Sequence, residues 1–180
     1  DDLVRPGFYA KLAQGFQNHP DVGAAFCRHA YTDGAGRTLT LAACEQSVRG
    51  VLPNAVVRLA EEQRIMTPAI VVRRAVYEQL GGFDRRLVCS EDWEMWVRVA
   101  AQYRIWYEPE MLAIYRIHAA SNSGRHVRSG ADLRDRQRAI AIFADYLPQD
   151  QVRAITRRAK ATYARTALET AYRLAQRRDW

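Results

Sequence analysis

Long apolar runs and cysteine are both scarce in this sequence, and each absence limits what the chain is. No window approaches the ~18 apolar residues that a membrane span needs. The chain opens on Asp1 and Asp2 without a signal-peptide pattern. Its three cysteines, Cys27, Cys44 and Cys89, are an odd number without metal-like spacing. We therefore expect a cytoplasmic protein whose thiols are reduced.

The composition is that of one globular domain with an appended segment. The 180 residues are 48% apolar and 10% aromatic, which is enough for a hydrophobic core. The net charge of +7 is unevenly spread, because residues 1–124 hold 14 basic and 14 acidic side chains whereas residues 125–180 hold 13 and 6. We predict a neutral body over 1–124 and a basic helical tail over 125–180.

Apolar spacing and turn residues predict alternating helices and strands in the body, which is α/β in class. The predicted elements are a helix over 6–17, a hairpin of Val22–Thr32 with 37–41, a helix over 55–63, a buried strand over 67–72 and a helix over 74–80 that ends at Gly81. Ser90 is a suitable N-cap for a helix over 91–101, and two short strands, 104–107 and 111–118, follow it.

The composition changes after the body. Residues 120–130 are rich in Ser, Gly, Asn and Arg and predict a mobile loop. Apolar residues at helical spacing predict two amphipathic helices beyond it, one from Leu133 to Leu147 and one from Val152 to Ala167.

Three polar groups in the body are candidate sites, and the first is the pair Asp1 and Asp2. They come directly before Leu3-Val4-Arg5-Pro6-Gly7. Adjacent carboxylates at a strand-to-helix junction can hold a divalent cation between the protein and substrate phosphates. Alternatively, they are acids that complement the dipole of the following helix.

The second candidate site is the pair Glu91 and Asp92, in the first turn of the helix predicted after Ser90. A carboxylate there, beside an apolar face and after a Gly-Gly turn, can accept a proton from a substrate hydroxyl. The alternative is compensation of the helix dipole, worth about 0.3–1 kcal/mol. Trp93 and Trp96 are expected in the core rather than stacked on a ligand.

The third candidate site is His118, which ends the strand Tyr115-Arg116-Ile117-His118, together with Ser121 and Ser123 in the loop after it. Its imidazole can bind a metal, and the guanidinium of Arg116 matches the oxygens of a diphosphate. A hydrogen-bonded structural role is the alternative for a lone histidine. That structural role is expected of the three other histidines, His19, His29 and His126.

The order and spacing of these groups resemble a known enzyme family. The succession is Asp-Asp-x-x-x-Pro-Gly from residue 1, Gly-Gly-Phe-Asp from residue 81, Glu-Asp-Trp-Glu-Met-Trp-Val-Arg from residue 91 and Tyr-Arg-Ile-His from residue 115. Over residues 1–124 it closely resembles the later part of a family 2 glycosyltransferase, an inverting sugar transferase of GT-A fold. The resemblance implies a partial GT-A-type (Rossmann-like) mixed sheet with flanking helices, followed by a C-terminal helical segment.

The resemblance also implies roles for the metal-side residues. Asp1 and Asp2 align with the last acids of the Asp-x-Asp motif, which binds Mg²⁺ or Mn²⁺ and thereby the diphosphate of a nucleotide sugar. His118 aligns with a third contact to the metal or diphosphate.

On the acceptor side, Asp92 aligns with the general base, the second acid of the family's Glu-Asp pair, and Glu91 with the first. Arg116, Ser121 and Ser123 align with a segment that closes over the phosphates.

The implied reaction is transfer of a sugar from a nucleotide-diphosphate donor to a hydroxyl of a saccharide or lipid-linked acceptor, as in polysaccharide biosynthesis at a bacterial cell envelope. A single displacement needs one base on the acceptor and a cation on the leaving group. The nucleotide-binding first half of such enzymes has no counterpart here, so we expect a truncated chain that is inactive alone. Such a chain can pair with another copy through its open strand edges, as a homo-oligomer.

The basic tail has three interpretations. It is a solvated helical cap packed on the body, a peripheral contact with anionic lipid at the inner face of the membrane, or a nonspecific nucleic-acid contact. Nucleic acid is the least favoured because the tail has no recognised nucleic-acid motif. The alternative to an enzyme is therefore a non-catalytic helical module that binds membrane or nucleic acid through the tail.

Overall fold

Two long parallel strands form the centre of a mixed sheet. The structure, a computed structural model, describes residues 1–118 and 121–177. Within them the strands are β1 (Leu3–Val4), β2 (Val22–Thr32), β3 (Thr38–Leu41), β4 (Gly50–Val51), β5 (Ile70–Val72) and β6 (Arg104–Arg116). β2 pairs in parallel with β6, while β1 and β4 pair antiparallel with β6, and β3 and β5 antiparallel with β2. The predicted α/β class with a mixed sheet is confirmed.

Helices pack on both faces of this sheet. In the described residues they are α1 (Phe8–Asn18), α2 (Ala55–Glu61), α3 (Arg74–Leu80), α4 (Glu91–Gln102), α5 (Asn122–Ser129), α6 (Ala131–Phe143) and α7 (Val152–Arg177). Successive residues of a strand point to opposite faces. Ala25 and Cys27 accordingly pack with α1, whereas Ala24 and Phe26 pack with α2 and α4. None of these helices combines the length and apolar character that crossing a bilayer requires.

Several predicted elements have the predicted bounds. β2 and α3 begin and end as predicted, and the turn after Thr32 leads into the predicted hairpin strand β3. α3 ends at Gly81, which has a φ of 82° and donates its N–H to the Tyr77 carbonyl at 2.9 Å. This left-handed conformation suits glycine because it has no Cβ. α1 begins two residues later than predicted, at Phe8, and only Ile70–Val72 of the stretch 67–72 is strand.

The two strands predicted over 104–107 and 111–118 form one strand, β6. The pairing with β2 moves from Cys27 opposite Glu108 to Arg28 opposite Met111, so that Pro109 and Glu110 bulge out. Pro109 has no N–H to donate, and neither β4 nor β1 pairs at that position. The proline therefore interrupts the ladder without ending the strand.

The prediction of a mobile loop over 120–130 is wrong, because helix α5 occupies most of that range. Ser121 caps this helix, with its Oγ accepting the N–H of Gly124 at 3.0 Å, and the helix ends at Gly130. A side-chain cap of this kind compensates for the low helix propensity of Ser and Gly. Ala120 lies outside the described residues.

The basic tail packs back on the body. The indole of Trp93 on α4 contacts the rings of Phe143 on α6 and Tyr163 on α7, each with ring centroids 4.9 Å apart. Ile155 and Ala159 of α7 are buried in the same core as α2 and α4. Of the three interpretations of the tail, the structure therefore shows the first, a helical cap packed on the body.

Candidate functional site

A cavity of about 1210 Å³ lies at the carboxyl-terminal ends of β2 and β6. One wall consists of these strand ends, including Tyr31 and Tyr115, and the start of α4 supplies Asp92. Most of the other lining residues come from α5, α6 and α7, and a few come from the segment after α2. In open α/β sheets, ligands bind in the crevice outside the carboxyl ends of parallel strands. Of the eight site residues predicted from the sequence, four line this cavity, namely Asp92, His118, Ser121 and Ser123.

The Asp92 carboxylate is held by donors from two other segments. Gln63 Nε2 lies 2.9 Å from Oδ1 and 3.0 Å from Oδ2, and the Thr67 hydroxyl donates to Oδ2 at 3.2 Å. The N–H of Trp93 donates to Oδ1 at 2.7 Å. These contacts fix the carboxylate at the first turn of α4, at the edge of the cavity.

Burial raises the pKa of Asp92 to about 6, from an ordinary value of 3.8. The charge of Glu91 raises this pKa further, while the hydrogen bonds from the Trp93 N–H and the Thr67 hydroxyl lower it. A helix N-terminus alone lowers the pKa of a carboxyl group. Here desolvation exceeds that effect, which leaves Asp92 a stronger base than an ordinary aspartate.

Glu91 does not line the cavity. Its Oε2 is buried and has no hydrogen-bond partner among the described residues. Glu91 therefore acts on the site through its charge next to Asp92.

The pairing of β1 with β6 brings the chain's first residues to His118. Leu3 lies opposite Ile114 and Val4 opposite Ala113. The Asp1 Oδ2 atom lies 2.5 Å from Nε2 of His118, and both side chains are partly exposed. His118 lines the cavity, so Asp1 reaches the same region through this contact.

Asp2 is fixed by the backbone of β6. Its Oδ1 accepts the N–H of Arg116 at 2.8 Å. The Arg116 side chain does not line the cavity, whereas those of Tyr115 and Ile117 do, because successive side chains of a strand alternate. The Arg116 Nε is buried without a hydrogen-bond partner in the described part of the chain. The structure thus does not bring the predicted guanidinium contact of Arg116 to the cavity.

Ser121 and Ser123 lie where β6 passes into α5. The Ser121 Oγ donates to the His118 carbonyl at 2.7 Å, which ties the helix cap to the end of the strand. The Ser123 Oγ lies 3.2 Å from the Tyr115 hydroxyl. Both serines therefore brace His118 and Tyr115, and both line the cavity.

Sequence reasoning missed the contribution of α6 and α7. Arg136 packs its guanidinium over the Tyr163 ring, 4.5 Å from the centroid, and both residues line the cavity. The Tyr163 hydroxyl accepts the N–H of Gln63 at 2.9 Å, so the tail contacts the residue that holds Asp92. His126, predicted to be structural, also lines this cavity. The sequence does contain a signal for this contribution, because arginines such as Arg136 interrupt the apolar pattern of α6.

Across residues 1–118 and 121–177, no group of three or more His, Cys, Asp or Glu side chains is arranged to hold a metal ion. In comparisons with known proteins, the sequence matches no protein-family model and no curated protein.

Proposed function

We propose that this chain supplies the acceptor side and the catalytic base of an inverting, metal-dependent glycosyltransferase of GT-A fold. The reaction is transfer of a sugar from a nucleotide-diphosphate donor to a hydroxyl of a saccharide or lipid-linked acceptor. The observation that supports it most is the shared cavity. Asp92 and His118, far apart in sequence, line one cavity at the ends of parallel strands, and Asp1 contacts His118 there.

Asp92 is the proposed general base. With a pKa of about 6 it is mostly ionised at pH 7, and it still accepts a proton more readily than an ordinary aspartate. The Gln63 amide and the Thr67 hydroxyl orient the carboxylate. Asp92 takes the proton of the acceptor hydroxyl as that oxygen attacks the anomeric carbon and the bond to the diphosphate breaks.

The residues near the chain's start suit a divalent cation. Carboxylate and imidazole are ligands that Mn²⁺ accepts, and Mg²⁺ is usually bound by one or two carboxylates together with substrate phosphates. Asp1 and His118, which are in contact, would hold the cation together with the donor's diphosphate, whereas Asp2 is held by the Arg116 N–H and the described residues contain no group of three such ligands. When bound, the cation offsets the charge that develops on the departing diphosphate.

The cavity walls suit a sugar. Three tyrosines, Tyr31, Tyr115 and Tyr163, line it, and each combines an apolar ring with a hydrogen-bonding hydroxyl. A saccharide has the same combination of apolar ring faces and hydroxyl edges. Because α5, α6 and α7 form one wall of the cavity, the tail favours the enzyme over a separate binding module.

The test is Asp92→Asn in the full-length protein, assayed with a panel of nucleotide sugars. We expect transfer to fall by about 10²–10⁴-fold, the usual contribution of a general base. Mn²⁺-dependent binding of the nucleoside diphosphate, measured by calorimetry, is expected to stay at the wild-type level. Asp150→Asn, at an exposed position, is the matched control. Equal loss of transfer and binding in Asp92→Asn would mean that Asp92 is structural.

A further inference from the structure

The turn that leads into α4, the helix that presents Asp92, is held by another part of the chain. Ser90 is the N-cap residue of α4, as predicted, but its side chain makes no capping hydrogen bond. The Ser90 Oγ is buried and makes no hydrogen bond among the described residues. The N–H groups of the residues just before a helix have no partners within that helix, so where they are removed from water they need an acceptor from elsewhere.

Asp135 on α6 is that acceptor. Its Oδ2 accepts the N–H of Cys89 and the N–H of Ser90, each at 2.9 Å, and the N–H of Val88 at 3.1 Å. The side chain is only 2% exposed. Among the described residues, the cation within 4 Å of this carboxylate is Arg138, whose Nη1 lies 3.9 Å from Oδ1. Three consecutive backbone N–H groups are therefore the main stabilisation of this buried charge.

The segment 88–90, which Asp135 holds, leads directly into the cavity. Cys89 lines it, and Asp92 follows Ser90 by two residues. α6 also supplies Asp132 and Arg136 to the cavity wall, one turn before Asp135 and directly after it. The same helix thus builds the wall and grips the segment from which the carboxylate projects.

We propose that Asp135 is a positioning residue for Asp92, holding residues 88–90 so that the carboxylate stays in the cavity. The role of Asp92 as base rests on the proposed function, whereas its placement by Asp135 does not. If Asp135 served only to anchor the tail, its loss would lower stability and leave the environment of Asp92 unchanged.

The experiment measures that environment directly, by carboxyl carbon NMR titration of Asp92 in the full protein. We expect Asp135→Ala to lower the pKa of Asp92 from about 6 toward 3.8, because the released turn admits water to the carboxylate. Asp135→Asn keeps an acceptor oxygen without the charge, so we expect a smaller shift in the same direction. The control is Val76→Ala, a buried change on α3 that removes none of the hydrogen bonds to Asp135.

The control variant is expected to unfold at lower denaturant while the pKa of Asp92 stays at about 6. An unchanged pKa in folded Asp135→Ala would overturn the proposal. If Asp135→Ala does not fold, Asp135→Asn decides: unchanged titration of Asp92 and unchanged amide exchange at 88–90 would overturn it equally. This titration uses no substrate, so its outcome is independent of the transfer assay. If the pKa of Asp92 shifts as expected but no sugar is transferred in that assay, only the proposed function is contradicted.

Discussion

Asp92→Asn is expected to make the protein more stable at neutral pH while removing its proposed activity. The pKa of Asp92 is about 6 in the folded protein and 3.8 in the absence of the fold, so the native state binds this proton more tightly than the unfolded state. Below pH 3.8 both states are protonated and ionisation costs nothing. Between pH 3.8 and about 6 the unfolded state ionises first, and the native state loses stability as the pH rises.

The size of the effect follows from the shift. A shift of about two pKa units at 1.36 kcal/mol each corresponds to about 3 kcal/mol of lost stability above pH 6. Asparagine does not ionise and so avoids this loss. Its side chain still offers one oxygen to the donors around Asp92, although it loses the second acceptor, so about 3 kcal/mol is the upper limit of the gain.

The assay is urea unfolding followed by tryptophan fluorescence at pH 4 and pH 7.5. We expect the free energies of unfolding of wild type and Asp92→Asn to lie close together at pH 4 and to separate at pH 7.5, with the variant more stable. Asp150→Asn, at an exposed position, should follow the wild type at both pH values. A difference between Asp92→Asn and wild type that is the same at both pH values would refute the reasoning.

Two further substitutions test the packing around the site. Arg98→Ala leaves the fully buried Glu94 without the guanidinium that binds both of its oxygens at 3.0 Å, so we expect a loss of about 3–5 kcal/mol in denaturant unfolding; a loss within experimental error would contradict this. Gly15→Ala would place a Cβ 2.5 Å from the Trp106 ring, so we expect a loss of about 1–3 kcal/mol, whereas Gly82→Ala, with open space around it, should change stability less.

The sequence predicts those elements that have strong local signals at both ends. Val22–Thr32 is an apolar run that ends at an Asp-Gly turn, and Arg74–Leu80 ends at Gly81. The sequence predicts two strands where the structure has one, β6. Pro109 lies between the two predicted strands, and only the gap between the antiparallel neighbours of β6 explains why the strand continues there. Helix α5 was missed because its cap at Ser121 outweighs a composition typical of loops.

The site is less accessible to local reasoning because its residues meet through distant pairings. The contact between Asp1 and His118 depends on the register of β1 against β6, which no local pattern encodes. The same holds for Asp135, whose burial is tolerable only because three N–H groups from residues 88–90 reach it. An acid on a basic helix is expected to be exposed unless such partners are known.

The central claim is that Asp92 and His118 share the cavity in which a sugar is transferred, and paramagnetic broadening tests it most directly. Mn²⁺ is added to the isotope-labelled protein with and without a nucleoside diphosphate, and amide signals are followed by NMR. We predict selective broadening at His118 and Asp92 that strengthens when the nucleotide is present. Asp21 and Arg104, at the opposite ends of β2 and β6, lie about 30 Å from His118 at ~3.3 Å per strand residue and should stay sharp. Broadening centred on those distant residues, or none at His118 and Asp92, would contradict the account.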